Sequence, residues 1–262
     1  LAEPGSRLAA AWPAEHRAAL SIVVHVGAQL RGVNAADSEL GLDYTADGLH
    51  RLLGLFEDLD VGVTTAWSGA ALVTYPQLAR SAQDHGHELS LSIVEGATSG
   101  DDSTVVASHI SDLPIVGLVE NLPLSLPGQT REASAASGAA PPRWRIDGSA
   151  GDVPRLGPYT GPSPDSVILP VSPYWIDRHW WHPGHPAPPS SLLESWSSSL
   201  ASVRTLGGLM TIIVHPHISG RPGHAETIIR FVDEAIASAD VWLARADQVA
   251  AWWLESTASQ RS

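Results

Sequence analysis

Apolar residues fall along this chain in short runs of strand length, separated by stretches in which they recur every three or four positions. Residues 19–26 (ALSIVVHV) form an apolar run interrupted only by Ser21 and His25, as expected of a strand buried on both faces. Thr45 then caps a helix to about residue 59, with Leu49, Leu52, Leu53 and Phe56 at helical spacing. Residues 61–67 predict a second strand, and residues 75–86 a helix with Pro76 in its first turn and Gly86 as its stop. A third strand is expected at 87–94, a short helix opening at Asp101 and ending before Pro114, and a fourth strand at 115–119. Beyond these, strands are expected at 167–171, 209–214 and 241–244, and helices at 191–205, 223–239 and 246–255.

Residues 27–43 and the Trp- and His-rich stretch 172–189 read as loops. Residues 122–142 shift to Ser, Ala, Gly and Pro, and read as a loop or insertion, because strand and helix alternate again afterwards. Seven strand–helix units without a repeated sequence predict an α/β protein. The expected architecture is a single irregular (β/α) barrel of about seven strands spanning residues 1–262, with a doubly wound open sheet as the alternative.

The pattern is sharpest at residues 206–224 (LGGLMTIIVHPHISGRPGH). Gly207 and Gly208 close a helix, the apolar run ends in His215-Pro216-His217, and Gly-Arg-Pro-Gly leads into the next helix at Pro222. A histidine at the end of a buried strand, just before a βα turn, lies where parallel α/β folds build their sites. A structural histidine capping the strand is the plainer reading.

Composition removes several chemistries. The formal charge of −13 argues against nucleic acid and anionic membrane surfaces as partners. Cysteine is absent and all 15 basic residues are arginine, so thiolate metal sites, cysteine nucleophiles, Schiff-base lysines and a P-loop lysine are excluded. No run approaches the roughly 20 apolar residues of a membrane span. The first 20 residues lack the pattern of an intact signal peptide. A cytoplasmic location is expected, with an already removed leader left open.

Several motifs together resemble the polysaccharide deacetylase superfamily (the NodB-homology fold), in particular its cytosolic branch of peptidoglycan-deacetylase-like proteins and metal-independent allantoinases. They are Trp12-Pro13, the strand ending at His25, Gly86-His87-Glu88, Pro173-Tyr174 with Asp177, His215 through Gly223, Val241-Trp242, and Trp252-Trp253. The resemblance covers nearly the whole chain, is specific in the carboxy-terminal part, and is poor from about 105 to 161. It implies a distorted seven-stranded barrel and hydrolysis of non-peptide carbon–nitrogen bonds.

The departures fall on the family's active centre. His25 stands where the family places its catalytic Asp, and Gly27 where it places its metal-binding Asp. The two metal-binding histidines of the third strand correspond to Ser92 and Gly96, and the family's arginine-bearing loop aligns near Val119 and Glu120, where no arginine stands. His215, which corresponds to the family's general acid, is unaltered. No protein ligand set for the usual metal remains, so neither a metal site nor a cofactor is expected. His179, His182 and His185 are spaced as zinc ligands can be, but Pro183 and Gly184 make their segment a loop, and exposed histidines are the preferred reading. His85 and His87 flank a glycine turn and are expected to face solvent.

Metal-free chemistry is the sharper expectation. By strand alternation Val23, His25 and Gly27 share one face. His25 and His215 are expected on one rim, as base and acid toward an amide or imide C–N bond. Asp177 would orient one imidazole, and Arg221 would hold a carboxylate or ureide oxygen. Among the ten tryptophans, Trp175 and neighbouring Tyr174, together with Trp67, are candidate substrate contacts, although covering the barrel mouth or a subunit interface would use Trp175 as well. Two functions therefore stand side by side. One is a divergent C–N hydrolase without the usual zinc. The other is a catalytically silent barrel that binds a glycan or small amide, or serves as a structural partner, with a homo-oligomer left open.

Overall fold

The structure, a computed structural model, describes residues 12–27, 44–93, 117–120, 144–147, 156–161, 165–182 and 185–259. Residues 28–43 of the loop expected over 27–43, the helix opening at Asp101 and the 122–142 insertion lie outside the described residues.

Nine strands form one sheet: β1 (Ala18–Val26), β2 (Thr64–Trp67), β3 (Glu88–Ile93), β4 (Gly117–Glu120), β5 (Trp144–Asp147), β6 (Tyr159–Thr160), β7 (Val167–Pro170), β10 (Leu209–Val214) and β11 (Val241–Leu243). Strands β8 (Trp181–His182) and β9 (His185–Pro186) make a separate antiparallel hairpin. The sheet order is β10-β1-β2-β3-β4-β5-β7-β6, parallel throughout except for β6. One edge of β1 carries β10; the other is shared by β11 against residues 18–20 and β2 against residues 23–26.

β1 is buried along its whole length. Alternation sorts its side chains. Ala18, Leu20, Ile22, Val24 and Val26 pack outward into a layer shared with the surrounding helices, while Ala19 and Val23 face inward with Val119, Trp144, Ile146, Val167, Leu169 and Ile213. The helices that cover the outside are α1 (Tyr44–Asp58), α2 (Gly69–Thr74), α3 (Pro76–Asp84), α4 (Pro189–Leu206), α5 (Pro216–Ser219) and α6 (Pro222–Ala237). Helix α7 (Ala246–Ser259) instead plugs one end, placing Val249 and Ala250 in the inner cluster.

All seven expected strands are present. β5 was not expected: it adds a strand between β4 and β7, its Trp144 and Ile146 pointing inward. The ladder does not close. Between β7 and β10 the only ladder contact among the described residues is a single parallel bridge from Ile176 to Ile213, helped by the Leu209 N–H donating to Leu156 O at 2.7 Å. The result is a nearly closed, irregular (β/α) barrel.

Two turns position the rim. Helix α4 stops at Gly207, which adopts φ +81° and donates its N–H to Val203 O, so β10 starts at once. Gly48 of α1 lies against Gly220 and Pro216, where a Cβ on either glycine would collide with the Pro216 carbonyl; this close approach clamps the turn that follows β10.

At the end where the strands begin, Glu88 of β3 is buried. It accepts hydrogen bonds from Trp144 Nε1 (2.7 Å), Thr64 Oγ1 (2.7 Å) and the Asp247 backbone N–H (3.1 Å). Thr64 Oγ1 in turn accepts from Ala246 N–H, so the first turn of α7 is tied to β2 and β3. Burial, and next the Asp247 charge, push the Glu88 carboxyl up to about 7 against the pull of these hydrogen bonds. His87 corrects an expectation. It is 4% exposed rather than solvent-facing, because its Nδ1 accepts the Val63 backbone N–H at the entry to β2; His85 is exposed.

Candidate active centre at the carboxyl ends of the strands

His25 is the last inward-facing residue of β1, Ser92 stands near the end of β3, and His215 follows β10 as the residue capping α5. Three strand ends therefore deliver polar side chains to one rim. Asp177 arrives from the 3₁₀ turn Asp177–His179, fixed by the neighbouring Ile176 bridge to β10.

Asp177 is fully buried and its oxygens are all engaged. Oδ1 lies 2.6 Å from His215 Nδ1, and Oδ2 accepts the His215 backbone N–H at 2.7 Å and the Ser219 hydroxyl at 2.5 Å. Burial acts to raise this carboxyl, but His215 and the three hydrogen bonds outweigh it and hold Asp177 below the usual carboxylate range. An ionised Asp177 needs a donor at Nδ1, so His215 carries its proton there and Nε2 holds the lone pair. Burial lowers His215 from its ordinary pKa despite the Asp177 charge, keeping the ring neutral near pH 7.

His25 Nε2 is 2.6 Å from Ser92 Oγ, and the His25 and His215 rings meet edge to face with centroids 5.0 Å apart. Burial first, then the neighbouring charges of His215, Arg178 and His217, hold His25 well below its ordinary pKa. His217 is 5.8 Å from His215, ring to ring, and is pushed down to about 4, chiefly by burial. The remaining nitrogens, His25 Nδ1 and His215 Nε2, are buried and have no hydrogen-bond partner among the described residues. Two unpartnered imidazole nitrogens in adjacent rings are costly to bury and mark where a ligand would gain most.

The rest of the expected set is dispersed. Trp67 lies on the outer face of β2, its Nε1 donating to Thr65 Oγ1, on the side away from His25. Tyr174 is exposed, and its carbonyl accepts from both Trp180 and Trp196. Trp175 turns away from the centre to line a cleft of about 250 Å³ at the seam, with Ser198, Ser202, Val203 and Leu209. Trp181 stacks on His224 at 3.8 Å. Arg221 is exposed, its Nε donating to His217 O and its guanidinium 6.0 Å above the Tyr44 ring. Sequence reasoning missed Ser219 and Arg178. Arg178 is half-buried and its charge acts on His25, His215 and His217.

The donors present do not suit the zinc centre that the resemblance implies. Of the groups facing one another here, His215 Nδ1 is taken by Asp177 and His25 Nε2 by Ser92, which leaves two imidazole nitrogens and no carboxylate oxygen. Gly27, where a Cβ would only touch the His25 ring, supplies nothing, and no group of three metal-ligating side chains forms among the described residues. The side chains of His182 and His185, like Gly96, lie outside the described residues.

The fold is that of the polysaccharide deacetylases, an irregular (β/α) barrel of the NodB-homology kind. A Mycobacterium smegmatis protein assigned to the polysaccharide deacetylases is similar at a TM-score of 0.73 and 21% identity, covering 99% of this chain and 96% of that one. The Puue allantoinase is similar at 0.72 and 19% identity, covering 92% of each chain. A Pseudomonas aeruginosa PAO1 protein, also assigned to the polysaccharide deacetylases, gives 0.70 and 18%, again covering 92% of each. No protein-family model matches the sequence, and no curated protein matches it.

Proposed function

We propose that this chain is a hydrolase of non-peptide carbon–nitrogen bonds, acting on an amide or imide without the zinc centre that the family resemblance implies. The observation that carries the reading is the Asp177–His215 pair, whose Nε2 is buried without a partner among the described residues, in a ring that meets His25 edge to face with centroids 5.0 Å apart. An imidazole oriented through Nδ1 by an ionised carboxylate is a general base at Nε2. In the proposed reaction His215 Nε2 takes a proton from water as its oxygen bonds to the substrate carbonyl carbon. It then returns that proton to the departing nitrogen as the C–N bond breaks. One water is consumed, and a carboxyl group and an N–H are formed. His25, held at Nε2 by Ser92, orients the water or the carbonyl through Nδ1. The likeness to an allantoinase and to deacetylase-like proteins supports both substrate types, a cyclic ureide or an N-acyl sugar.

The competing reading is a silent barrel that binds such a molecule, favoured by Gly27 standing where a metal-binding carboxylate belongs. The two are separated by following acid or amine release from a panel of hydantoins, allantoin and N-acetylated amino sugars, with chelator present throughout. The hydrolase reading expects turnover that falls at least ~100-fold in His215→Asn. The wild-type rate should hold from pH 8 to below 6.5 and drop only as pH passes beneath the lowered His215 pKa. Absence of turnover across the panel, or equal rates in wild type and variant, overturns it.

A further inference from the structure

The Ser92 hydroxyl is the one oxygen nucleophile that the rim sets against an imidazole. Strand β2 lies between β1 and β3; His25 pairs in register with Ala66, and Ala66 with Ser90. Alternation turns His25, Ala66 and Ser92 to the inner face, so the His25 ring reaches across β2 over the methyl group of Ala66 and meets Ser92, Nε2 to Oγ, at 2.6 Å. A serine oxygen and an imidazole nitrogen at this distance form the nucleophile–base pair of acyl transfer. Ser92 Oγ makes no second hydrogen bond among the described residues. Burial holds His25 well below its ordinary pKa, so the ring is neutral near pH 7 and Nε2 is free to accept the Ser92 O–H. That tautomer carries its ring proton on Nδ1, which has no partner among the described residues. No carboxylate therefore orients His25 as Asp177 orients His215, and the pair is a dyad. Ser92 is 7% exposed, against 5% for His25 and 1% for His215, which makes it the least enclosed of the three.

From this geometry we infer that Ser92 is a nucleophile activated by His25, and that the rim carries a second activity, the hydrolysis of small carboxylic esters through an acyl group held on Ser92. Ser92 Oγ bonds to the ester carbonyl carbon as its proton passes to His25 Nε2. His25 gives that proton to the departing alkoxide oxygen as the C–O bond breaks, and the alcohol leaves. Water then bonds to the acyl carbon; its proton passes to Nε2 and on to Ser92 Oγ as the acyl–serine bond breaks, and a carboxylic acid is released. One water is consumed and Ser92 is restored. An ester is the fitting class because an alkoxide leaves with less help from an acid than an amide nitrogen needs, and this imidazole lacks an orienting carboxylate. His215 moves no proton in either step, so the inference does not rest on the carbon–nitrogen reading.

The probes are methanesulfonyl fluoride, whose S–F bond breaks as a serine oxygen bonds to sulfur, and 4-nitrophenyl acetate. Wild type treated with the sulfonyl fluoride is expected to gain a methanesulfonyl group that peptide mass spectrometry maps to Ser92. Labelling should be level from pH 6.5 to 8, where His25 is already neutral, whereas an unactivated hydroxyl would react faster as hydroxide rises. His25→Gln should slow it at least ~100-fold. With 4-nitrophenyl acetate, acid quenching at short times should trap an acetyl group on Ser92 that Ser92→Ala lacks. Wild type that takes neither label at Ser92, labelling that climbs with pH throughout, or an unchanged rate in folded His25→Gln overturns the inference. The wild-type mapping and pH profile stand alone, so a variant that fails to fold does not remove the test. Neither probe contains an amide or imide, so failure of the carbon–nitrogen reading would leave these results untouched.

Discussion

The barrel buries one carboxylate near each end, and the two are treated in opposite ways. Glu88, where the strands begin, receives three hydrogen bonds, from Thr64, Trp144 and the first turn of α7, and pairs with no cation within salt-bridge distance among the described residues. Asp177, where the strands end, also receives three, but two come from His215, whose other nitrogen is unbonded. Burial therefore drives Glu88 up to about 7, whereas in Asp177 the same burial is overcome. One end spends its polar groups on holding the structure. The other leaves His25 Nδ1 and His215 Nε2 without a partner among the described residues. The difference teaches where chemistry resides: in polar atoms that the fold has buried and oriented but not satisfied.

The comparison breaks most visibly at Asp177. Asp177→Ala would strand the His215 backbone N–H, its Nδ1–H and the Ser219 hydroxyl. A loss of about 3–5 kcal/mol in urea unfolding is expected, together with loss of any turnover or probe-dependent shift of the histidine resonances. Unchanged unfolding would mean that the rim network is not held by this carboxylate.

Glu88 sharpens the contrast through pH. Its folded pKa of about 7 lies above the ordinary 4.5, so its contribution to stability is fully present below pH 4.5 and is lost as pH rises through 7. On the order of 3 kcal/mol is involved. Wild type should lose stability between pH 5 and 8, and Glu88→Ala, less stable at pH 5, should lack that limb without altering ligand binding at the rim. The depressed histidines work in the other direction: their contribution is present above pH 6.5 and lost as pH falls through their lowered values. A Glu88→Ala protein with an unchanged pH profile would show that this carboxyl is ionised throughout.

The smallest expected effect belongs to zinc. A metal that binds only the folded state raises stability by RT ln(1 + [L]/Kd), roughly 4 kcal/mol at a thousandfold excess over Kd. Two imidazole nitrogens without a carboxylate should not sustain such affinity, so neither stoichiometric zinc nor excess chelator should move the melting temperature. A rise of several degrees that His215→Ala removes would restore a metal to the rim.

Much of this was legible in the sequence for physical reasons. Residues 209–214 and 19–26 are buried on both faces, so their apolar runs are continuous, and the turn residues Gly207 and Pro222 mark the adjoining helix ends. β5 was not legible. It has four residues, Arg145 and Asp147 alternate with its two inward apolar side chains, and it follows a stretch of low complexity. Its only signal was that alternation, too short to distinguish from a loop. His25, Asp177 and His215 could be named because they end strands or follow a motif. Ser219 could not, since only the fold brings its hydroxyl to the Asp177 carboxylate. Trp67 illustrates the converse: a strand-end aromatic looks like a rim residue until the register with Val26 turns it outward.

The seam between β7 and β10 has a kinetic consequence. Among the described residues the seam is joined by a single bridge, Ile176–Ile213, and the Leu209–Leu156 hydrogen bond, so the opening of lowest free energy is expected along that line. Asp177 is the next residue after Ile176, so separation at the seam would draw the carboxylate from His215 while β1, β2 and β3 stayed intact. The amide proton of His215, bonded to a side chain and not to a neighbouring strand, then becomes a clock for that event in hydrogen exchange. Breathing of the barrel wall and assembly of the His–Asp pair would be a single motion, and a ligand that bridges the rim would slow both.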